Sequence, residues 1–277
     1  MSRQLAVLLL AVPLAIGACT TDSGPQHVNP NAFSWNGSIP AGKTLYLRNM
    51  VGDIKVLATD SPTVHVQASE KWRGSGNGNA HFLQRELEDG IIICTMLGNA
   101  TDCSTSSYGG GGPPGSHNLN LRDLLGRGKS SSVSYVVTVP AGVKVNISTI
   151  SGGIGVADVT GAVKAETVNG RVQVAALDGP VTASSVNGSV SVAIDSLGSP
   201  GDIELSTVNG SVTAQLPPSI QAQLSMETVN GSVHSDFDVA GTDTSERKEI
   251  HGTIGGGGGR RVALETVNGS VKLLRGS

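Results

Sequence analysis

The sequence predicts an all-β chain wound as a β-solenoid, and three observations carry that expectation. The hexapeptide TVNGSV stands verbatim at 207–212, 228–233 and 266–271, and returns as TVNGRV at 167–172 and SVNGSV at 185–190. Apolar and polar residues alternate with a period of two on both sides of each copy. Thirty-eight glycines accompany only 3% aromatic residues, a composition that suits many short strands of Val, Ile, Leu and Ala separated by tight turns.

The first segment belongs to export rather than to the fold. Arg3 precedes an apolar run from Leu5 to Ile16, too short to span a bilayer as a mature helix but suited to a secretory signal. It ends in Ile16-Gly17-Ala18-Cys19, which resembles the lipobox of bacterial lipoproteins, although Leu is the commoner residue at the place of Ile16. That resemblance implies a signal peptide over 1–18 and lipidation of Cys19, with acyl chains anchoring the protein in a membrane. Thr20, where an Asp would retain the protein at the inner membrane, implies sorting to the outer membrane. Residues 19–31 are small, polar and Pro-containing, and read as a flexible tether. The folded domain is expected over 32–277.

Two cysteines remain, Cys94 and Cys103. In an exported protein an even pair reads as a disulfide, closing a small loop for about 2–3 kcal/mol. A metal or redox pair is the competing reading, and no histidines stand at ligand intervals to support it. The pair leads into TDCSTSSYGGGGPPGSHN, part of a Gly/Ser/Pro-rich insertion near 99–132.

The repeats then follow in order. Val163, Ala165 and Thr167 alternate with Lys164 and Glu166 before the first Asn-Gly, and Val172 and Val174 with Arg171 and Gln173 after it. The later copies alternate likewise: Ile203, Leu205, Thr207; Leu224, Met226, Thr228; Val262, Leu264, Thr266. Each unit is therefore strand, bend, strand with one buried face. The bends are Asn169-Gly170, Asn187-Gly188, Asn209-Gly210, Asn230-Gly231 and Asn268-Gly269. Counted from Gly152, the glycines advance by 18, 18, 22 and 21 residues to Gly231, within the range of one supersecondary unit per repeat. Degenerate bends are expected at 51–54, 150–154 and 250–254.

Asn-Gly between alternating strands is also a strong hairpin signal, since both residues tolerate the positive φ of a type I′ turn. A hairpin, however, does not require the flanking Thr, Val and Ser to be identical. Stacked coils favour identity, because each residue sits about 4.8 Å above its equivalent and side-chain amides or hydroxyls can ladder along the axis. The solenoid is therefore expected rather than an antiparallel meander or barrel. It places Val168, Val186, Val208, Val229 and Val267 in one column, and Thr167, Thr207, Thr228 and Thr266 in another broken by Ser185.

The stretches FSWNGSIPAGKTLYLRNMVGDIKV, SYVVTVPAGVKVNISTISGGIGV and IHGTIGGGGGRRVALETVNGSVKLLR resemble the bacterial cell-envelope family of adhesin-type β-strand-repeat domains of unknown function, related to toast-rack and autotransporter-head-like solenoids. The resemblance covers nearly the whole mature chain. It implies a right-handed, single-stranded, parallel β-solenoid exposed in or on the envelope, with no catalytic residues to carry over.

Several stretches compete with that reading. Gly37 to Thr44 satisfies the letters GxxxxGK[ST], but a phosphate loop works only where a strand enters and a helix leaves, and here strands follow. The run Gly255–Gly259 lacks the carboxylates of calcium-binding repeats. Asp53, Asp158, Asp178, Asp195 and Asp202 suit turns. His65 and His234 occupy alternating strand positions and read as surface residues. Asn-Gly-Ser matches the glycosylation sequon incidentally. Glu166, Glu204, Glu227 and Glu265 are expected to form an outward acidic column. A paired-carboxylate enzyme needs two unlike environments, which a solvated column does not offer.

A formal charge of −3 gives no basic field for nucleic acid. No cofactor or metal is implied. The expected function is a non-catalytic, lipid-anchored scaffold presenting a surface to envelope proteins or glycans. The alternatives are an envelope-stress or structural component acting through a membrane-protein partner, and a polysaccharide-processing enzyme. The last coil, ending at Ser277, is expected to form an open end that could pair two copies into a weak homodimer.

Overall fold

The computed structural model describes residues 26–74, 77–97, 103–105, 131–176, 178–196, 198, 200–241 and 248–276. Among them every regular element is a strand. In sequence order these are β1 (Gln26–Gly37), β2 (Thr44–Val51), β3 (Ile54–Ala58), β4 (Val64–Arg73), β5 (Ala80–Leu87), β6 (Gly90–Leu97), β7 (Ser131–Val139), β8 (Lys144–Ser151), β9 (Ile154–Val159) and β10 (Val163–Asn169). There follow β11 (Val172–Ala176), β12 (Val181–Asn187), β13 (Val190–Ile194), β14 (Ile203–Asn209), β15 (Val212–Leu216), β16 (Ala222–Asn230), β17 (Val233–Ser235), β18 (Glu249–Ile254), β19 (Arg261–Asn268) and β20 (Val271–Arg275).

The strands form two ten-stranded sheets. Sheet I runs β1-β4-β7-β3-β9-β11-β13-β15-β20-β17, and sheet II runs β18-β16-β19-β14-β12-β10-β8-β2-β6-β5. A strand of sheet II followed in sequence by one of sheet I makes a layer, and eight such layers stack in parallel: β6/β7, β2/β3, β8/β9, β10/β11, β12/β13, β14/β15, β19/β20 and β16/β17. The strands flanking each Asn-Gly belong to different sheets, so these bends do not close hairpins. The only described non-glycine residue at positive φ is Asp158 (φ 61°), which excludes type I′ geometry at the asparagines.

Register explains the alternation. Val163 lies between Val145 and Val181, Ala165 between Ile147 and Ala183, and Thr167 between Thr149 and Ser185. Every second residue thus faces the opposite sheet, and the inward set forms one continuous core of Val, Ile, Leu and Ala. The two inner faces are lined mainly by small residues, and β8 to β15 carry no aromatic residue.

The aromatics gather at the ends. Phe33 stacks on Phe82 at 5.1 Å, Phe82 meets Tyr135 edge-on at 6.5 Å, and His27 stacks on Trp72 at 5.3 Å. There antiparallel strands close the stack: β4 and β1 beyond β7, and β5 beyond β6. At the other end β18 pairs antiparallel with β16, and buried Phe237 lies beneath the Arg275 guanidinium, 5.0 Å from its ring centre.

Three expectations are corrected. The tether does not extend to residue 31, because Gln26–Asn29 already pair with Glu70–Arg73; the alternation of Val28 with polar neighbours is a weak strand signal beside Pro30. Residues 250–254 are not a bend but the body of β18, since Ile250 and Ile254 pair across to Met226 and Ala222. The C-terminal layer is not the end of the stack. β19/β20 lies between β14/β15 and β16/β17, so the layer order departs from sequence order. The glycine run makes that crossing: a Cβ on Gly258 would lie 2.8 Å from the Gln221 carbonyl oxygen, and one on Gly255 2.6 Å from that of Ile220.

Candidate functional site: a laddered outer face

The first four residues of the repeated hexapeptide each build a column along the stack. The hydroxyl of the buried Thr donates to the bend glycine of the layer before it: Thr167 to Gly152 O (3.0 Å), Ser185 to Gly170 O (2.9 Å), Thr207 to Gly188 O (2.8 Å), Thr266 to Gly210 O (2.9 Å) and Thr228 to Gly269 O (2.9 Å). Thr149 makes the same bond to Gly52 O at 3.3 Å. In the β2/β3 layer Asn49 takes the column's place, fully buried, its Nδ2 donating to Gly52 O and Val133 O.

The valine after each Thr points outward. Val186, Val208 and Val267 are 40%, 40% and 39% exposed and Val229 is 58% exposed. They account for four of the seven large hydrophobic residues most open to solvent among the described residues. Val168 continues the row, half-buried.

Next come the asparagines, whose amides form a continuous ladder. Nδ2 of Asn187 donates to Oδ1 of Asn169 (2.9 Å), Asn209 to Asn187 (2.8 Å), Asn268 to Asn209 (2.9 Å) and Asn230 to Asn268 (2.9 Å). All four bonds point the same way along the axis, so each polarises the next. The glycine closes the motif by close approach. A Cβ on Gly170, Gly188, Gly210, Gly269 or Gly231 would lie 1.8–2.2 Å from the carbonyl oxygen of the neighbouring layer's glycine, far inside contact distance. Their backbone N–H groups also bind across layers, Gly170 to Asn187 O and Gly210 to Asn268 O, each at 3.0 Å.

The outer face of sheet II is therefore a regular surface from β10 to β16: outward valines beside a hydrogen-bonded amide rail, repeated in each of those five layers. The glutamates do not form the expected column. Glu166, Ser184, Ser206, Glu265 and Glu227 share one register position, whereas Glu204 aligns with Thr182 and Ala263, two residues earlier. Glu166 is paired with Lys164 at 3.2 Å. Only Glu265 and Glu227 are neighbours, both solvent-facing, with His251 3.5 Å from Glu227 and Ser225 donating to it.

The other sequence candidates have structural roles. Gly37–Thr44 runs strand, turn, strand. Its Pro-Ala-Gly bend stacks on the Pro-Ala-Gly bend at 140–142, with Gly42 N donating to Gly142 O at 2.8 Å and Lys43 Nζ to Glu88 O at 2.9 Å. The turn aspartates receive N–H bonds: Asp53 from Gly153, Asp178 from Gly179 and Asp202 from Arg261. His65 lies beside Thr63, and His234 beside Asp236 at 2.9 Å. Asp236 also accepts from the Arg275 backbone N–H, which chiefly holds its carboxyl below the usual carboxylate range, with His234 adding to the effect. Among the described residues no three His, Cys, Asp or Glu residues could hold a metal ion together. Cys19 lies outside the described residues.

Cys94 and Cys103 form a disulfide with Cα atoms 5.9 Å apart. It sits on the outer face of sheet II at the aromatic end, where it holds residues 103–105 over Arg48. The Arg48 guanidinium, 2% exposed, donates to Asn146 Oδ1 and to the carbonyls of Asn146 and Thr105. Sequence reasoning missed this strap. Arg48 alternates with Leu45 and Leu47 like any outward residue, and only the pairing of β2 beside Cys94 reveals what covers it.

A closed stack of two-stranded layers with a repetitive outer face defines a β-repeat scaffold. The protein-family profile described as Toastrack DUF4097 matches residues 38–274, and the chain belongs to that family. Two solved structures are similar. A "putative cell adhesion protein" from Clostridium sporogenes shares 14% identity over 88% of this chain and 99% of its own, with a TM-score of 0.44. A "putative adhesin" from Bacteroides fragilis shares 9% identity over 88% and 99%, with a TM-score of 0.29. No curated protein matches it.

Proposed function

We propose that the protein is a non-catalytic, lipid-anchored scaffold of the cell envelope, which binds an envelope protein or glycan along the outer face of sheet II. One observation carries the reading: outward valines recur at every layer from β12/β13 to β16/β17 beside a laddered amide rail. Water would ordinarily disfavour such a row of β-branched residues, and contiguous exposed apolar surface on a soluble domain marks an interaction site. The amides supply what a polar partner needs, since each Asn retains a second N–H and a second oxygen lone pair for a ligand. A rigid register of about 4.8 Å per layer suits an extended partner with its own repeat.

The winding we read as right-handed and single-stranded, with the Asn-Gly pairs as its corners. The near-universal right-handedness of parallel strand–crossover–strand connections supports this. Anchoring rests on the lipobox-like Ile16–Cys19 and a tether that reaches only to β1, which would hold the aromatic end nearest the membrane, at the outer membrane by the Thr20 reasoning.

Two experiments test the reading. Changing Val186, Val208 and Val267 together to Ser should leave the circular dichroism spectrum intact and remove most retention of envelope material by the full-length protein; undiminished capture would refute this face. Cys19→Ser should move the protein from membrane to soluble fractions, and unchanged fractionation would refute the lipid anchor.

A further inference from the structure

We infer that Asn230-Gly231 is a site of spontaneous deamidation, and that the stack protects the four other Asn-Gly pairs from the same reaction. Asn-Gly is the dipeptide most open to this chemistry, because glycine has no Cβ to hinder attack. The deprotonated Gly231 nitrogen attacks Asn230 Cγ, a new bond forms between them, the bond from Cγ to Nδ2 breaks and ammonia leaves. Water then opens the five-membered succinimide to aspartate or to isoaspartate.

Two locks oppose this in the interior layers. The attacking nitrogen is engaged: Gly170 N–H donates to Asn187 O, Gly188 to Asn209 O, Gly210 to Asn268 O and Gly269 to Asn230 O, each at 3.0 Å. The attacked amide is also held, since Oδ1 of Asn169, Asn187, Asn209 and Asn268 each accepts from the next asparagine at 2.8–2.9 Å. A hydrogen-bonded N–H loses its proton reluctantly, and a laddered amide cannot turn its Cγ toward the backbone without breaking the rail.

Asn230 lacks the first lock and keeps only the donor half of the second. The β16/β17 layer is the outermost of the parallel stack, so no further layer follows to accept from Gly231 or to donate to Asn230 Oδ1. Among the described residues neither atom has a partner, and Asn230, Gly231 and Ser232 are all exposed. The one restraint on its amide is the bond from Asn230 Nδ2 to Asn268, which both products abolish because a carboxylate has no N–H. Isoaspartate also routes the backbone through one extra methylene, at a bend where Gly231 already packs against the Gly269 carbonyl oxygen. The modification would therefore loosen the layer that clamps β19/β20 in place.

The test is peptide mapping of the full-length protein during incubation at mildly alkaline pH, with isoaspartyl methyltransferase labelling as a second readout. A sample in denaturant runs in parallel. Unfolded, the five sites should react at similar rates, since each reads Val-Asn-Gly. Folded, Asn230 should stay within about threefold of its unfolded rate, and the other four should slow at least about tenfold, the factor that ~1.4 kcal/mol of opening free energy supplies. An interior site that matches Asn230 in the folded protein, or an Asn230 slowed as much as the rest, would overturn the assignment.

Discussion

Gly210 shows how the repeat works at the scale of a residue. Its φ is not left-handed; what excludes a larger residue is the Gly188 carbonyl oxygen, 2.2 Å from where a Cβ would sit. Gly210→Ala should thus cost about 1–3 kcal/mol by overpacking, measured by denaturant unfolding. Gly155→Ala is the control, because nothing lies within 4 Å of its Cβ position, and its stability should change by no more than about 0.5 kcal/mol. Equal effects would show that backbone conformation, not interlayer contact, selects the glycine. The sequence made the glycines conspicuous, but it suggested a turn conformation as the reason. Close approach between layers is a relation across 18 or more residues, which local propensity does not encode.

At the scale of elements, alternation made the strands visible and the stacking geometry decided their neighbours. Val163, Ala165 and Thr167 could be read as one buried face, and that face is buried. The position of β19/β20 could not be read. TVNGSV is identical at 207–212, 228–233 and 266–271, so any of the three layers offers the same threonine, asparagine and glycine to either neighbour. The offset of Glu204, by contrast, is legible in the sequence: strand position is counted from the bend, and Glu204 lies two residues further from its bend than Glu166, Glu227 and Glu265 do from theirs. The short β17 strand makes the outermost layer sensitive to the polar clamp beside it. Asp236, with its carboxyl pKa held down by the Arg275 N–H and His234, contributes stability present above its unfolded pKa of about 3.9 and lost as pH falls through the lower folded value. Asp236→Asn should accordingly flatten the acid limb of the stability profile below about pH 4. An unaltered limb would show that the clamp adds nothing to the fold.

Across the whole molecule, composition separates the body from its ends. Small branched residues fill the layers between the sheets, and of the described aromatics Phe33, Trp35, Trp72, Phe82, Tyr135 and Phe237 close the two extremities, while Tyr46 packs on the outer face of β2 beside Arg48. The low aromatic content follows from that division, since only the caps need bulky residues. The edges are guarded as well: β1 carries Pro30 and a register break between Asn29 and Phe33, β5 exposes Arg85 and Glu86, β17 is three residues long, and Ala240 bridges to Thr253 on β18. These are the devices by which sheets avoid end-to-end growth, and they turn the lateral face into the surface most available to a partner. The C-terminal layer is interposed within that face, and paired cysteines test the interposition most directly. Ser206 and Glu265 are register neighbours, whereas Ser206 and Glu227 lie two layers apart, about 9.6 Å and beyond the reach of a disulfide. Mild oxidation should link Ser206→Cys to Glu265→Cys within one molecule and leave the Ser206→Cys, Glu227→Cys variant reduced; the reverse result would mean that the layers stack in sequence order and would contradict the architecture.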